Sequence, residues 1–259
     1  MRRTSSLLAL LLAACGGSTG SGLVTFRALV GGPADATGGP LSFAAGSYQV
    51  TLSRARLRIG AVYLNQTVPA SGAAASGCVQ IPPIYVAEAF GPVTLDLLSP
   101  ILEPFPAIGE ATQTRATTAE VWLTGGDVNA PQDGTVILDV AGTATKSGAS
   151  YPFQGKVTIS QNRAIISSNP AQPGANPICK QRIVTPIEVD ITPTNGGVLT
   201  LRVDPRGMFN TVDFATLGPA PGSSTVLEIP DTNATNAGVA LFRDGLHSAF
   251  GVYQFTWSP

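Results

Sequence analysis

From Leu23 onward the chain is dominated by short runs in which apolar and polar residues alternate. Tyr48, Val50 and Leu52 share one face of an extended segment. Leu57, Ile59, Ala61 and Tyr63 continue the alternation, with Arg54, Arg56 and Arg58 on the opposite face. A period of two is the mark of a half-buried β-strand. Similar runs predict strands at 23–30, 84–88, 93–98, 119–124, 135–145, 153–160, 183–191, 198–204, 225–229 and 252–257. Clusters such as Asp133-Gly134, Asn195-Gly196-Gly197 and Pro219-Ala220-Pro221-Gly222 separate them as turns. The best hairpin expectation is the pair of strands on either side of Asn195-Gly196-Gly197.

Helical signal is sparse. Asn236 can cap a short helix that ends at Gly245, with Leu241 and Phe242 facing the core, and 205–209 suits a single helical turn. About a dozen strands with little helix predict an all-β fold. The expected form is an antiparallel β-sandwich, immunoglobulin-like or a related Greek key, with one short helix near the C-terminus. A transmembrane barrel also has alternating strands, but five tyrosines, two tryptophans and 21 prolines are a poor supply for two aromatic girdles and unbroken spans.

Composition agrees with a globular β-domain. Charged residues are 12% of the chain, against a usual figure of about 25%. Gly and Pro are abundant, yet Val, Ile, Leu and Phe recur in strand-length runs, so the chain is not of the disordered type. The formal charge is −1, and no basic stripe with interleaved aromatics is present, so nucleic acid is not an expected partner. Residues 23–259 are long enough for one large domain with its own core.

The first residues read as an export signal. Arg2 and Arg3 give a positive start, Leu7 to Leu12 an apolar stretch, and Ala13-Ala14 a small-residue exit. The apolar stretch is much shorter than the roughly 20 residues of a spanning helix. Leu12-Ala13-Ala14-Cys15-Gly16 resembles the lipobox of bacterial lipoproteins. That resemblance implies a signal peptide at 1–14, cleavage before Cys15, and acylation of Cys15. Several acyl chains anchor stably where one is marginal. Loss of Arg2 and Arg3 would leave a charge of about −3. Residues 15–22 then form the acylated cysteine and a Gly/Ser-rich tether. Gly16, rather than aspartate, after the cysteine favours the outer membrane within this resemblance.

Cys78 and Cys179 are the remaining cysteines. Neither has a CxxC partner or a nearby histidine, and an exported domain meets oxidising conditions, so a structural disulfide between them is expected.

Catalytic signatures are few. His247 is the one histidine, which restricts any serine–histidine triad to a single base. It is expected to be an ordinary residue at the edge of the small helix. Gly16-Gly17-Ser18-Thr19-Gly20 matches GxSxG, but it falls in the tether, where no strand–turn–helix can hold a nucleophile. No P-loop or dinucleotide fingerprint occurs, and no cofactor is expected. Glu103, Glu110, Glu120 and Asp127 lie near one another in sequence. They are expected to be solvated loop acids, with a carboxylate-based envelope hydrolase as the alternative. Asp127, Asn129 and Asp133 offer oxygen ligands for calcium, although Pro131 and the misplaced glycine depart from an EF-hand loop. The Arg54/Arg56/Arg58 ladder needs facing acids to relieve its repulsion, and Glu188 and Asp190 alternate suitably. The ladder is also a candidate surface for an envelope protein or polysaccharide partner.

Val24-Thr25-Phe26, Leu41-Ser42-Phe43, Val50-Thr51-Leu52 and Leu201-Arg202-Val203-Asp204 leading to Met208-Phe209 resemble, in layout, periplasmic β-sandwich lipoproteins such as copper-binding MbnP-like domains. The resemblance implies a copper site as a further alternative, but one histidine and two methionines offer few ligands and none is transferred. The expectation is therefore a non-enzymatic, lipid-anchored envelope domain that binds a partner or serves the structure of the envelope.

Overall fold

A computed structural model of the chain describes residues 22–67, 84–123, 134–158, 183–231 and 236–259. Their strands are β1 (Leu23–Gly31), β2 (Leu41–Ala45), β3 (Tyr48–Asn65), β4 (Tyr85–Asp96), β5 (Glu103–Pro104), β6 (Gly109–Thr112) and β7 (Ala116–Trp122). β8 (Val136–Lys146), β9 (Ala149–Thr158), β10 (Ile183–Ile191), β11 (Val198–Val203), β12 (Gly218–Pro219), β13 (Leu227–Ile229) and β14 (Tyr253–Ser258) follow. The fold is mostly β, as expected. The strands join into one large mixed sheet curled into a half-barrel, along the path β12-β13-β9-β8-β3-β4-β6-β1-β11-β14. β2 and β7 attach to β3, β5 to β1, and β10 to β7.

The expectation of a purely antiparallel sheet is corrected. β1 runs parallel to β11, pairing Arg27 with Val198 through Gly31 with Arg202, and β13 runs parallel to β9. The hairpin expected around Asn195-Gly196-Gly197 is corrected too. β10 pairs with β7, whereas β11 pairs with β1 and β14. The turn itself forms, with Gly196 at φ +79°, but it delivers β11 to the far side of the sheet. Gly196 N–H donates to the Thr25 carbonyl at 2.8 Å and Arg27 N–H to that of Gly197 at 3.0 Å, so the turn docks against β1.

The curl originates in β3. This 18-residue strand unites two stretches that the sequence suggests separately, and it is broken in phase twice. The register slips between Leu52 and Arg54 against β8, and between Ile59 and Ala61 against β4. Each slip is a bulge that bends the strand and turns the following side chains over. The residues facing the main core are therefore Tyr48, Val50 and Leu52, then Ala55, Leu57 and Ile59, then Val62 and Leu64. Ala61 and Tyr63, expected beside Leu57 and Ile59, lie instead on the opposite face in a second cluster with Trp122 and Ile183. The bulge at Gly60 is the physical reason. β3 also changes partners along its length, from β2 and β8 to β4 and β7.

One end of the main core is closed by 3-10 turns at Pro205–Phe209 and Phe214–Thr216. Over the first lies a π-helical stretch, Ala240–Leu246, which continues α1 (Asn236–Val239). The helix expected here is thus present, with Leu241 fully buried, but Gly245 lies inside the helical run rather than past its end.

Candidate functional site

Several residues singled out from the sequence lie outside the described residues. They are Cys15, the tether, Cys78, Cys179, and the proposed ligands Asp127, Asn129 and Asp133. Among the described residues no group of three or more His, Cys, Asp or Glu is placed to hold a metal ion.

The arginine ladder lies on the outer face of β3. Its facing acids are Asp139 of β8 and Asp96 of β4, not Glu188 and Asp190. Arg54 binds Asp139 at 3.0 Å, and Arg56 stands in register with both Asp139 and Asp96. Asp190 is held by Arg115 through contacts of 2.7 and 3.1 Å. Strand alternation shows which residues share a face, but the partner strand depends on topology. The ladder is thereby a charge-compensated, partly exposed face.

A concavity lies elsewhere, beside β10 and β14, which pair with β7 and β11 respectively. β10 and β14 sit side by side there, and a groove of about 730 Å³ opens between them. Pro186, Ile187 and Glu188 form one wall, and Val252, Tyr253 and Gln254 the other. Asp35, Arg202, Asp204 and Arg206 line the polar end. The floor is firm. Ile187 and Val252 are buried, and the buried Tyr253 hydroxyl donates to the Leu246 carbonyl at 2.7 Å. Phe250 stands at the rim with 94% of its surface exposed.

Arg206 organises the polar end. Asp204 caps the turn by accepting from Arg206 N–H at 2.9 Å, with Pro205 in the first turn, where a missing N–H costs nothing. The same carboxylate accepts a second hydrogen bond, from Arg206 Nε–H, at 2.8 Å. Asp35 closes the clamp with a two-pronged pair, Nη1 at 2.8 Å and Nη2 at 2.9 Å. The hydrogen bonds from Arg206 hold the Asp35 carboxyl below the usual carboxylate range. Asp204-Pro205-Arg206 carries a helix-start signal legible in sequence. Asp35, 171 residues away from Arg206, carries none. Arg202 is likewise committed, its Nη1 donating to the Gly32 carbonyl at 2.9 Å. Arg206 is thus charge-compensated by Asp35 and Asp204, whereas Arg202 is held by neutral backbone carbonyls through Nη1.

Of the four acids grouped in sequence, Glu103 and Glu110 are exposed, on β5 and β6. Glu120 overturns the expectation of a loop acid: it lies in β7 and is fully buried. Trp122 Nε1 donates to its Oε2 at 2.9 Å, while Oε1 has no partner. Burial pushes this carboxyl above its ordinary range, and the Trp122 N–H and the nearby Asn65 amide offset part of the rise. The phenol of neighbouring Tyr63 is pushed up to about 12 by burial and by the Glu88 and Glu120 carboxylates.

A raised folded-state value means that the folded form binds more protons than the unfolded form while pH lies between the unfolded and folded carboxyl values. Glu120 therefore weakens the fold progressively as pH rises from about 4 to its raised folded-state value, and by a constant amount above that. Glu120→Gln is expected to raise the urea midpoint at pH 7 and to leave it nearly unchanged at pH 3.5. A gain of equal size at both pH values would refute this assignment.

Asp35 and Asp204 are locked on Arg206, and the buried Glu120 belongs to β7 and does not line the groove. The chain matches no protein-family model, no curated protein and no solved structure.

Proposed function

We propose that the chain is a lipid-anchored binding module of the bacterial cell envelope, tethered through Cys15 and receiving its ligand in the groove between β10 and β14. The address is supported by Leu12-Ala13-Ala14-Cys15-Gly16 after a short apolar stretch. The single observation that favours binding is the groove itself: a firm apolar floor, a rim phenylalanine, and a polar end whose charges are fixed before any ligand arrives. Preorganised polar groups in a largely apolar concavity are the usual form of a ligand site. An outer-membrane location, a Cys78–Cys179 staple and the absence of catalysis belong to the same proposal. The sandwich expected from the strand pattern belongs to it in a weaker sense, as two flanks of one curled sheet sharing one apolar interior.

The address is tested by expressing the full chain in a bacterium that processes lipoproteins and partitioning the product between detergent and aqueous phases. Most of the wild-type protein is expected in the detergent phase, carrying labelled fatty acid. Cys15→Ser is expected to move it to the aqueous phase by at least tenfold, since a thiol-linked lipid supplies about 0.8 kcal/mol for each buried methylene. Equal partitioning of the two forms would end the proposal.

A further inference from the structure

The outer face of β7 carries an anomaly that the groove leaves unexplained. Glu120 Oε1, both polar atoms of the Asn65 amide, and Thr185 Oγ1 are all buried without a hydrogen-bond partner. Asn65 and Glu120 are fully buried, and Thr185 is 2% exposed. A buried polar atom left alone costs about 1–3 kcal/mol; the Asn65 amide nitrogen lies near enough to Glu120 to favour its charge, so it is the three acceptors, Glu120 Oε1, Asn65 Oδ1 and Thr185 Oγ1, that call for a donor.

The strand register places the three residues together. Tyr63 of β3 stands opposite Glu120, with Asn65 one pair further along, opposite Thr118. On the other side, β10 pairs Val184 with Val121 and Ile187 with Ala119, so Thr185 falls in the irregularity beside Glu120. Asn65 and Thr185 thus flank the carboxyl from the two neighbouring strands, at the spacing of cross-strand neighbours. Aromatic rings border the triad: Tyr63 has its centroid 4.7 Å from Trp122 and 4.9 Å from Tyr85. Phe90 lies 6.0 Å from Tyr63, and Phe90 and Tyr85 are both partly exposed, which gives the cluster an outer edge.

We propose that Glu120, Asn65 and Thr185 form a receptor for a primary ammonium group, entered past Tyr85 and Phe90. Three oxygen acceptors, Glu120 Oε1, Asn65 Oδ1 and Thr185 Oγ1, match the three N–H donors of such a cation. Tyrosine and tryptophan rings add attraction for positive charge. The Asn65 amide nitrogen is left to support the carboxylate. An anion is disfavoured by Glu120, and calcium requires six or more oxygens, beyond what these three side chains supply. The proposal is independent of the groove: the groove's ligand touches β10 and β14, whereas this guest is held by β3, β7 and β10.

The test uses the chain with Trp257→Phe, which leaves Trp122 as the one indole. Its fluorescence is followed during titration with butylammonium chloride, tetramethylammonium chloride and sodium chloride. A saturable change is expected with butylammonium alone, because tetramethylammonium has charge but no N–H. Thr185→Val removes an orphaned hydroxyl at constant shape, so it should fold at least as well while weakening butylammonium binding about tenfold. Glu120→Gln should abolish binding. A response shared by all three salts, or one that survives Thr185→Val unchanged, would overturn the proposal and assign the triad to buried water.

Discussion

Gly245→Ala is expected to destabilise the fold by about 3 kcal/mol or more, the upper end of overpacking costs. Gly245 lies in the π-helical stretch that crosses the Pro205–Phe209 turn. A methyl group there would stand 2.0 Å from the Met208 carbonyl oxygen and 2.7 Å from its carbon. Both obstacles are backbone, so no side-chain rotation relieves them. The two segments would have to separate, uncovering Met208 and Phe209, which are fully buried beneath. Urea unfolding measures the effect directly. A midpoint within error of wild type would show that the two segments do not pack at this distance.

Phe209→Ala should cost a similar amount, about 3–5 kcal/mol, by a different route. Its ring is fully buried, with centroids 6.1 Å from Phe43, 5.9 Å from Phe153 and 6.3 Å from Phe214. Truncation leaves a void walled by three rings that are themselves held by β2, β9 and the second 3-10 turn, so the site cannot collapse easily. Adding Phe153→Ala to Phe209→Ala should cost less than the sum of the two single losses, because both deletions enlarge one cavity. Strict additivity in urea unfolding would argue against a shared aromatic cluster.

The sequence makes the elements far more legible than their partners. Period-two patterning places most strands, because half-buried strands must alternate. It misplaces Ala61 and Tyr63 because a bulge at Gly60 costs one residue of phase and leaves only a glycine as its trace. It misses the short strands β5, β6 and β12, where two to four residues are too few to show a period. Asn195-Gly196-Gly197 has the right chemistry for a turn, yet turn chemistry does not fix what the outgoing strand meets. β11 finds β1, about 170 positions earlier, as its parallel partner. The same limit governs the sites. The arginine ladder shows in the sequence as a face, but its acids come from strands that only the fold brings near. Asp35 and Arg206 meet across a comparable span of chain. Glu120 had the composition of a surface acid, and only its place in the middle of the β3-β7-β10 ribbon reveals it as buried.

The placement of β1 has a mechanical consequence. This first strand is not at an edge: β6 pairs with its opening residues, Leu23 to Phe26, and β11 and β5 with its later ones. A pull exerted through the segment before Leu23 would run along the strand axis and load these ladders in shear. Their hydrogen bonds would share the force, where an edge strand peeled from its end would lose them singly. Under the anchoring proposed at Cys15, resistance to extraction would be built into the strand nearest the tether.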